Sequence, residues 1–117
     1  MKAEAVVLES SELPAPERLS DDGLADEVRR AQREARRWDA RYAALIAEAE
    51  RRAMAHRHGY PSTTAWLMAM SGEPAQWCRS QVAIAASLED MPGTKEAFAS
   101  GSVSESRVRL LAHASMR

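Results

Sequence analysis

Three histidines, one cysteine and a cluster of arginines are the residues of this chain with chemistry to offer. His56 and His58 flank Arg57. Side chains two apart on a helix point about 160–200° away from each other, so this pair can share a metal ion only where the backbone unwinds. Near a helix C-terminus they instead complement the negative end of the dipole. His113 stands alone and reads as a surface or half-buried helix residue. Cys78 falls in the first turns of a predicted helix, where a thiolate is favoured, but no histidine accompanies it at a telling distance. A buried, inert thiol is the expectation. One cysteine rules out an internal disulfide and a cysteine-based zinc site, and it places the protein in a reducing cytoplasm. No nucleophile elbow, phosphate-binding loop or dinucleotide fingerprint is present. The sequence therefore predicts no catalytic residue, no metal, no cofactor and no small-molecule substrate.

The arginines carry the best functional signal. Arg29, Arg30, Arg33, Arg36, Arg37 and Arg41 lie within thirteen residues. Six phosphate contacts would make binding to a nucleic acid steeply salt-dependent. The ordinary reading is the solvated face of a helix, and the interspersed Asp26, Glu27, Glu34 and Asp39 favour it. The overall net charge of −1 hides an asymmetry. Residues 1–27 carry two basic residues against eight acids, whereas residues 28–117 carry fourteen against nine. The later part is mildly basic, which is compatible with double-stranded DNA without demanding it.

These residues need elements to hold them, and the sequence predicts only helices. Ala, Arg, Glu and Leu dominate the chain, and no alternating β-branched or aromatic run reads as a strand. No apolar stretch approaches the roughly 18–20 residues of a membrane span. Its 117 residues suit one domain at most. Residues 1–19 are rich in Glu, Ser and Pro, lack periodicity and read as a disordered acidic leader. Residues 20–117 form the expected helical domain.

Ser20, Asp21 and Asp22 mark a helix start. From there Leu24, Val28, Ala31, Ala35, Trp38, Tyr42, Leu45 and Ala49 follow at alternating steps of four and three. This heptad stripe predicts one long helix over 21–57, stopped by Gly59. A stripe of that length needs a cover, either the rest of the chain or a second copy. Four shorter helices are expected to pack along it. The second spans about 64–70, with Trp66, Leu67 and Met70 as anchors. The third runs from Pro74 to Glu89, with Trp77, Val82, Ala85 and Leu88 in the core. The fourth follows a break at Pro92-Gly93 and spans 94–99, with Phe98 buried. The fifth is capped by Ser102 or Ser104 and continues through Val108, Leu111 and Ala112. Nothing at Arg117 looks like a domain end, so the domain reads as truncated there.

The second and third of these helices have the lengths of a helix-turn-helix. Its recognition helix would present Gln76, Arg79, Ser80 and Gln81. The rhythm from Leu88 through Pro92 to Gly101-Ser102 is similar to the ParB-type DNA-binding domain. Against that reading, Gln81 falls where such a motif buries an apolar residue, and the third helix is long. Trp66 and Trp77 could stack on bases, although core packing is the ordinary role for them.

From Gly59 onward a set of landmarks recurs in a recognisable order. Gly59-Tyr60 and Ser62-Thr63 precede Ala65-Trp66-Leu67. Gly72 through Ala75 follow, then Ala85 to Leu88 closing on Met91-Pro92, then Phe98 with Gly101, Ser102 and Ser104. This pattern, covering about 80 of the 117 residues from Trp38, resembles the actinobacterial domain of unknown function 222. That domain is the N-terminal part of the HNH endonuclease-like 13E12 repeat proteins of mycobacteria. The resemblance implies a DNA-linked, mobile-element setting ahead of a metal-dependent HNH nuclease module. The histidines needed for such a module are missing here, since all three lie on or beside predicted helices. The expectation is a non-catalytic DNA-associated helical domain. Arg29 to Arg41 would lie on phosphates, and Arg79, Gln81, Arg107 or Arg109 near a groove. The alternative is a self-association or partner-binding module, with a homodimeric coiled coil through the long helix and no nucleic-acid contact.

Overall fold

A computed structural model describes residues 13–115 of the chain, and every described element is helical. After a single 3-10 turn at Pro16–Arg18 come α1 (Asp21–Arg51), α2 (Met54–Arg57), α3 (Thr63–Ser71), α4 (Ala75–Glu89), α5 (Pro92–Ala99) and α6 (Glu105–Ser115). The expected all-α architecture, one long helix with shorter partners, is the observed one. The 3-10 turn stands inside the stretch read as a disordered leader, and residues 1–12 of that stretch lie outside the described residues. The chain divides into two compact units within α1, after Gln32.

The first unit holds the 3-10 turn and the opening turns of α1. Ser20 caps the helix as expected: its hydroxyl accepts a hydrogen bond from the Gly23 amide at 3.1 Å. Asp21 and Asp22 occupy the first turn, where carboxylates suit the positive dipole end. No described residue of this unit is buried, and Leu24 and Val28 are exposed.

The second unit contains the core. Ala40, Ala43, Ile46 and Ala47 of α1 meet Leu67 of α3, Cys78, Ile84, Ala85 and Leu88 of α4, Phe98 of α5 and Val108 of α6. Phe98, Val108 and Cys78 are its most completely enclosed large side chains. The buried side of α1 is not the one its heptad stripe predicts. Trp38 and Leu45 remain 53% and 50% exposed. Residues two apart on a helix are separated by roughly 200°, so Trp38 and Ala40, or Leu45 and Ala47, face nearly opposite ways. Ala40, Ala43, Ile46 and Ala47 instead supply the side of α1 that joins the core. Of the predicted stripe within this unit, Tyr42 and Ala49 are half-buried and Ala35 is exposed.

Each connection has a local cause. α1 ends at Arg51 rather than Arg57, because Ala53 adopts left-handed φ/ψ of 53° and 39°. The break is held from both sides. Ala55 is buried beyond it, the Thr63 hydroxyl donates to the Glu50 carboxylate across it, and the His58 ring stacks on Trp66 at 5.9 Å. Ser62 caps α3 by accepting from the Ala65 amide at 3.1 Å, and Gly72 stops that helix at φ +74°. Pro74 sits one residue before α4, not within it, and its carbonyl accepts from the Cys78 amide at 3.1 Å. Pro92 begins α5 itself, two residues earlier than expected, since proline's fixed φ suits a first helical position. Beyond α5 the Ser102 amide reaches back to the Ala97 carbonyl at 2.9 Å, and Ser104 caps α6 through the Arg107 amide at 3.2 Å. Two expected core anchors face outward instead, Met70 and, in part, Trp77.

Candidate functional site

The arginines of the sequence cluster fall in both units. In the first, Arg29 pairs with Asp26 at 2.7 Å and Arg30 with Glu27 at 3.4 Å. Such exposed i,i+3 pairs contribute little stability, but they offset the positive charge of this stretch. In the second unit, Arg37 pairs with Glu34 at 3.2 Å, while Arg33 and Arg36 turn to Gly101. Arg36 donates from Nη1 to the Gly101 carbonyl at 3.4 Å. A Cβ at Gly101 would lie 2.7 Å from Arg33 Cγ and 3.0 Å from its carbonyl, and φ there is +84°. Glycine is required at this point for space and for backbone conformation together.

That approach places Arg36 and Arg107, 71 positions apart in the sequence, around one open hollow with Ser102, Ser104 and Leu111. The hollow opens at the N-terminus of α6. Arg109 points elsewhere, donating to the Ser80 hydroxyl at 3.1 Å and pairing with Glu105 at 3.5 Å. Arg79 is exposed on α4, and Arg41 is exposed on α1.

Gln81 has a different place from the one a recognition helix would give it. It is 6% exposed, and its Nε2 donates to Glu105 Oε2 at 2.6 Å. Its amide ties α4 to α6 and is not presented to a groove. The spacing of Gln81 in α4 signals burial, and the missing information was the partner on α6.

Electrostatics elsewhere follow from packing. Partial desolvation, and then the nearby Glu105 charge, push the Asp39 carboxyl above its ordinary value, although the residue remains exposed. Burial also raises the Tyr42 phenol, with Cys78 and Glu73 adding to it. Hydrogen bonds from Arg51 and Arg52 lower the Glu48 carboxyl, and Lys95 does the same for Glu89. Cys78 is buried, its thiol 3.8 Å from the Glu73 carbonyl. His58 Nδ1 lies 2.8 Å from the Met54 carbonyl, and its ring is against Trp66. Among the described residues no three His, Cys, Asp or Glu side chains stand close enough to hold a metal ion. No helix among them is long and apolar enough to cross a membrane.

The most conspicuous surface belongs to the heptad stripe, for which the sequence predicts a cover, either the rest of the chain or a second copy. Trp38 and Leu45 stand on the outward side of α1, with Tyr42 between them half-buried at the edge of the core. The Tyr42 ring lies 6.1 Å from that of Trp77, at 31°, and Trp77 is itself exposed at the start of α4. The result is an aromatic and aliphatic face within the second unit, bordered by Glu34, Arg41 and Glu48.

Compared with family models, curated proteins and solved structures, the chain matches none. The likeness to the actinobacterial domain therefore rests on the landmark residues alone.

Proposed function

We propose that this chain is a non-catalytic helical association module whose outward α1 face takes a partner helix. One observation carries the reading: Trp38 and Leu45 are half-exposed on α1, while Ala40, Ala43 and Ala47 fill the core from its other side. Large apolar groups that a domain leaves outside its own core, grouped on one face, mark a surface for another protein. An aromatic anchor such as Trp38 is the residue type that dominates such contacts.

The test is Leu45→Glu, followed by circular dichroism and denaturant unfolding in dilute solution. The variant is expected to keep its helicity and to lose less than about 0.5 kcal/mol. A loss of several kcal/mol would mean that the face belongs to the chain's own core, and the reading would fail.

A DNA-associated role is the second reading, favoured by the meeting of Arg36 and Arg107 beside Ser102 and Ser104. Phosphate contact there would join α1 and α6 on one strand of a duplex. Titration of a labelled duplex at two salt concentrations tests it. A steep loss of affinity with salt, weakened by Arg36→Glu with Arg107→Glu, supports it, and absence of binding at low salt removes it.

A further inference from the structure

We infer that the partner of the α1 face is a second copy of this chain, lying antiparallel with Tyr42 opposite Leu45. This rests on the association-module reading and adds to it the identity and direction of the partner.

Trp38 and Leu45, half-exposed, and Tyr42 and Ala49, half-buried with Tyr42 resting against the core, supply the central rows of a heptad. Set antiparallel with Tyr42 opposite Leu45, these rows match in size. The bulky Trp38 meets the small Ala49 of the other copy, and Tyr42 meets Leu45, each twice by symmetry. Charge agrees with size. Along one border run Glu34, Arg41 and Glu48 at heptad spacing. The same alignment brings Arg41 beside Glu48 of the other copy, again twice. Arg41 is exposed, and no ion pair among the described residues uses it. Glu48 already receives Arg51 and Arg52, yet an ionised carboxylate accepts several donors.

The parallel, in-register pairing is disfavoured by the same residues. It would set Glu34 against Asp39 of the other copy, two like-charge contacts, and would stack Trp38 on Trp38. It would also leave Arg41 beside Ile46, with no charge to answer it. Trp77, exposed next to Tyr42, widens the face on its other border.

Sedimentation equilibrium of the full chain over a range of concentrations decides the matter, with four proteins compared: wild type, Leu45→Glu, Arg41→Glu, and Arg41→Glu combined with Glu48→Arg. The wild type is expected to dimerise reversibly and Leu45→Glu to stay monomeric. Arg41→Glu should weaken the dimer about tenfold. The double exchange should restore it, because it regenerates both ion pairs with their signs swapped. Circular dichroism on each variant in dilute solution checks that helicity is kept. A wild-type monomer at every concentration overturns the second-copy inference. A dimer that Leu45→Glu abolishes but the double exchange fails to restore overturns the antiparallel alignment. Neither result touches the association reading itself, which fails only where Leu45→Glu unfolds the dilute chain.

Discussion

Between Arg33 and Arg51 the two sides of α1 are both apolar, but they differ in side-chain size. One side offers Ala40, Ala43 and Ala47 with a single large residue, Ile46, and is buried, and the other offers Trp38 and Leu45 and is half in water. If burial simply followed hydrophobicity, the order would be reversed, since a Leu or Trp yields far more on burial than an Ala. What decides the outcome is fit. α4 faces α1 with Ala85, flanked by Ile84 and Leu88, and Phe98 of α5 closes the same space. Small residues on α1 leave room in the core for these larger ones on the other side. The lesson is that a heptad of large residues marks a face that can be covered, without saying by which chain.

The contrast is broken most directly by placing the same charge on each side. Ala43→Glu, at a position 3% exposed, should unfold the second unit or cost more than about 3 kcal/mol, because it would force a carboxylate into a space filled by apolar neighbours. Leu45→Glu, two residues on, should cost less than about 0.5 kcal/mol. Denaturant unfolding of both variants reads the difference, and equal costs would erase the distinction between the two sides.

A second comparison concerns size rather than charge. Phe98→Ala should destabilise by about 3–5 kcal/mol, as expected for an enclosed aromatic that leaves a cavity. Leu110→Ala on α6 removes an apolar group that is 66% exposed and should change the unfolding midpoint very little.

At the end of α1 the expected effect is smaller and of opposite sign. Ala53 occupies left-handed backbone space, which costs an L-residue roughly 1–2 kcal/mol, so Ala53→Gly should stabilise by about 0.5–1 kcal/mol after the entropy of glycine is counted. No change or a loss would show that the break between α1 and α2 is not strained.

The smallest effect is electrostatic. The Asp39 carboxyl is pushed above its ordinary value in the folded chain, because partial desolvation and Glu105 disfavour its ionised form. The folded state therefore binds this proton more tightly than the unfolded one. The associated stability is present below the unfolded-state value and is lost as pH rises through the folded one. Asp39→Asn should raise the melting temperature slightly at neutral pH, and the gain should vanish below the usual carboxylate range. A gain that persists in acid would assign the effect to something other than this carboxyl.

Much of the fold is legible in the sequence because it depends on local signals. Ser20, Ser62 and Ser104 cap helices where hydroxyls precede helical runs, and Gly72 and Gly101 stop them where φ must turn positive. Phe98 is buried as expected. What is illegible depends on partners distant in the chain. Ala53 breaks α1 with no glycine or proline to announce it, since tertiary contacts through Ala55 and Thr63 hold the break. Arg36 and Arg107 meet only because Gly101 lets α1 come close, and Gln81 turns inward only because Glu105 receives it. The arginine run was visible at once, whereas the outward direction of Trp38 required knowing what occupies the opposite side of the same helix.

That outward direction can be measured on a single fluorophore. With Trp66 and Trp77 replaced by phenylalanine, Trp38 is the sole indole of the three in the chain. Acrylamide quenching in dilute solution should then reach it readily, with emission near that of a solvated indole, and quenching should fall as concentration rises. A blue-shifted emission that resists acrylamide at every dilution would place Trp38 in the interior and contradict the account.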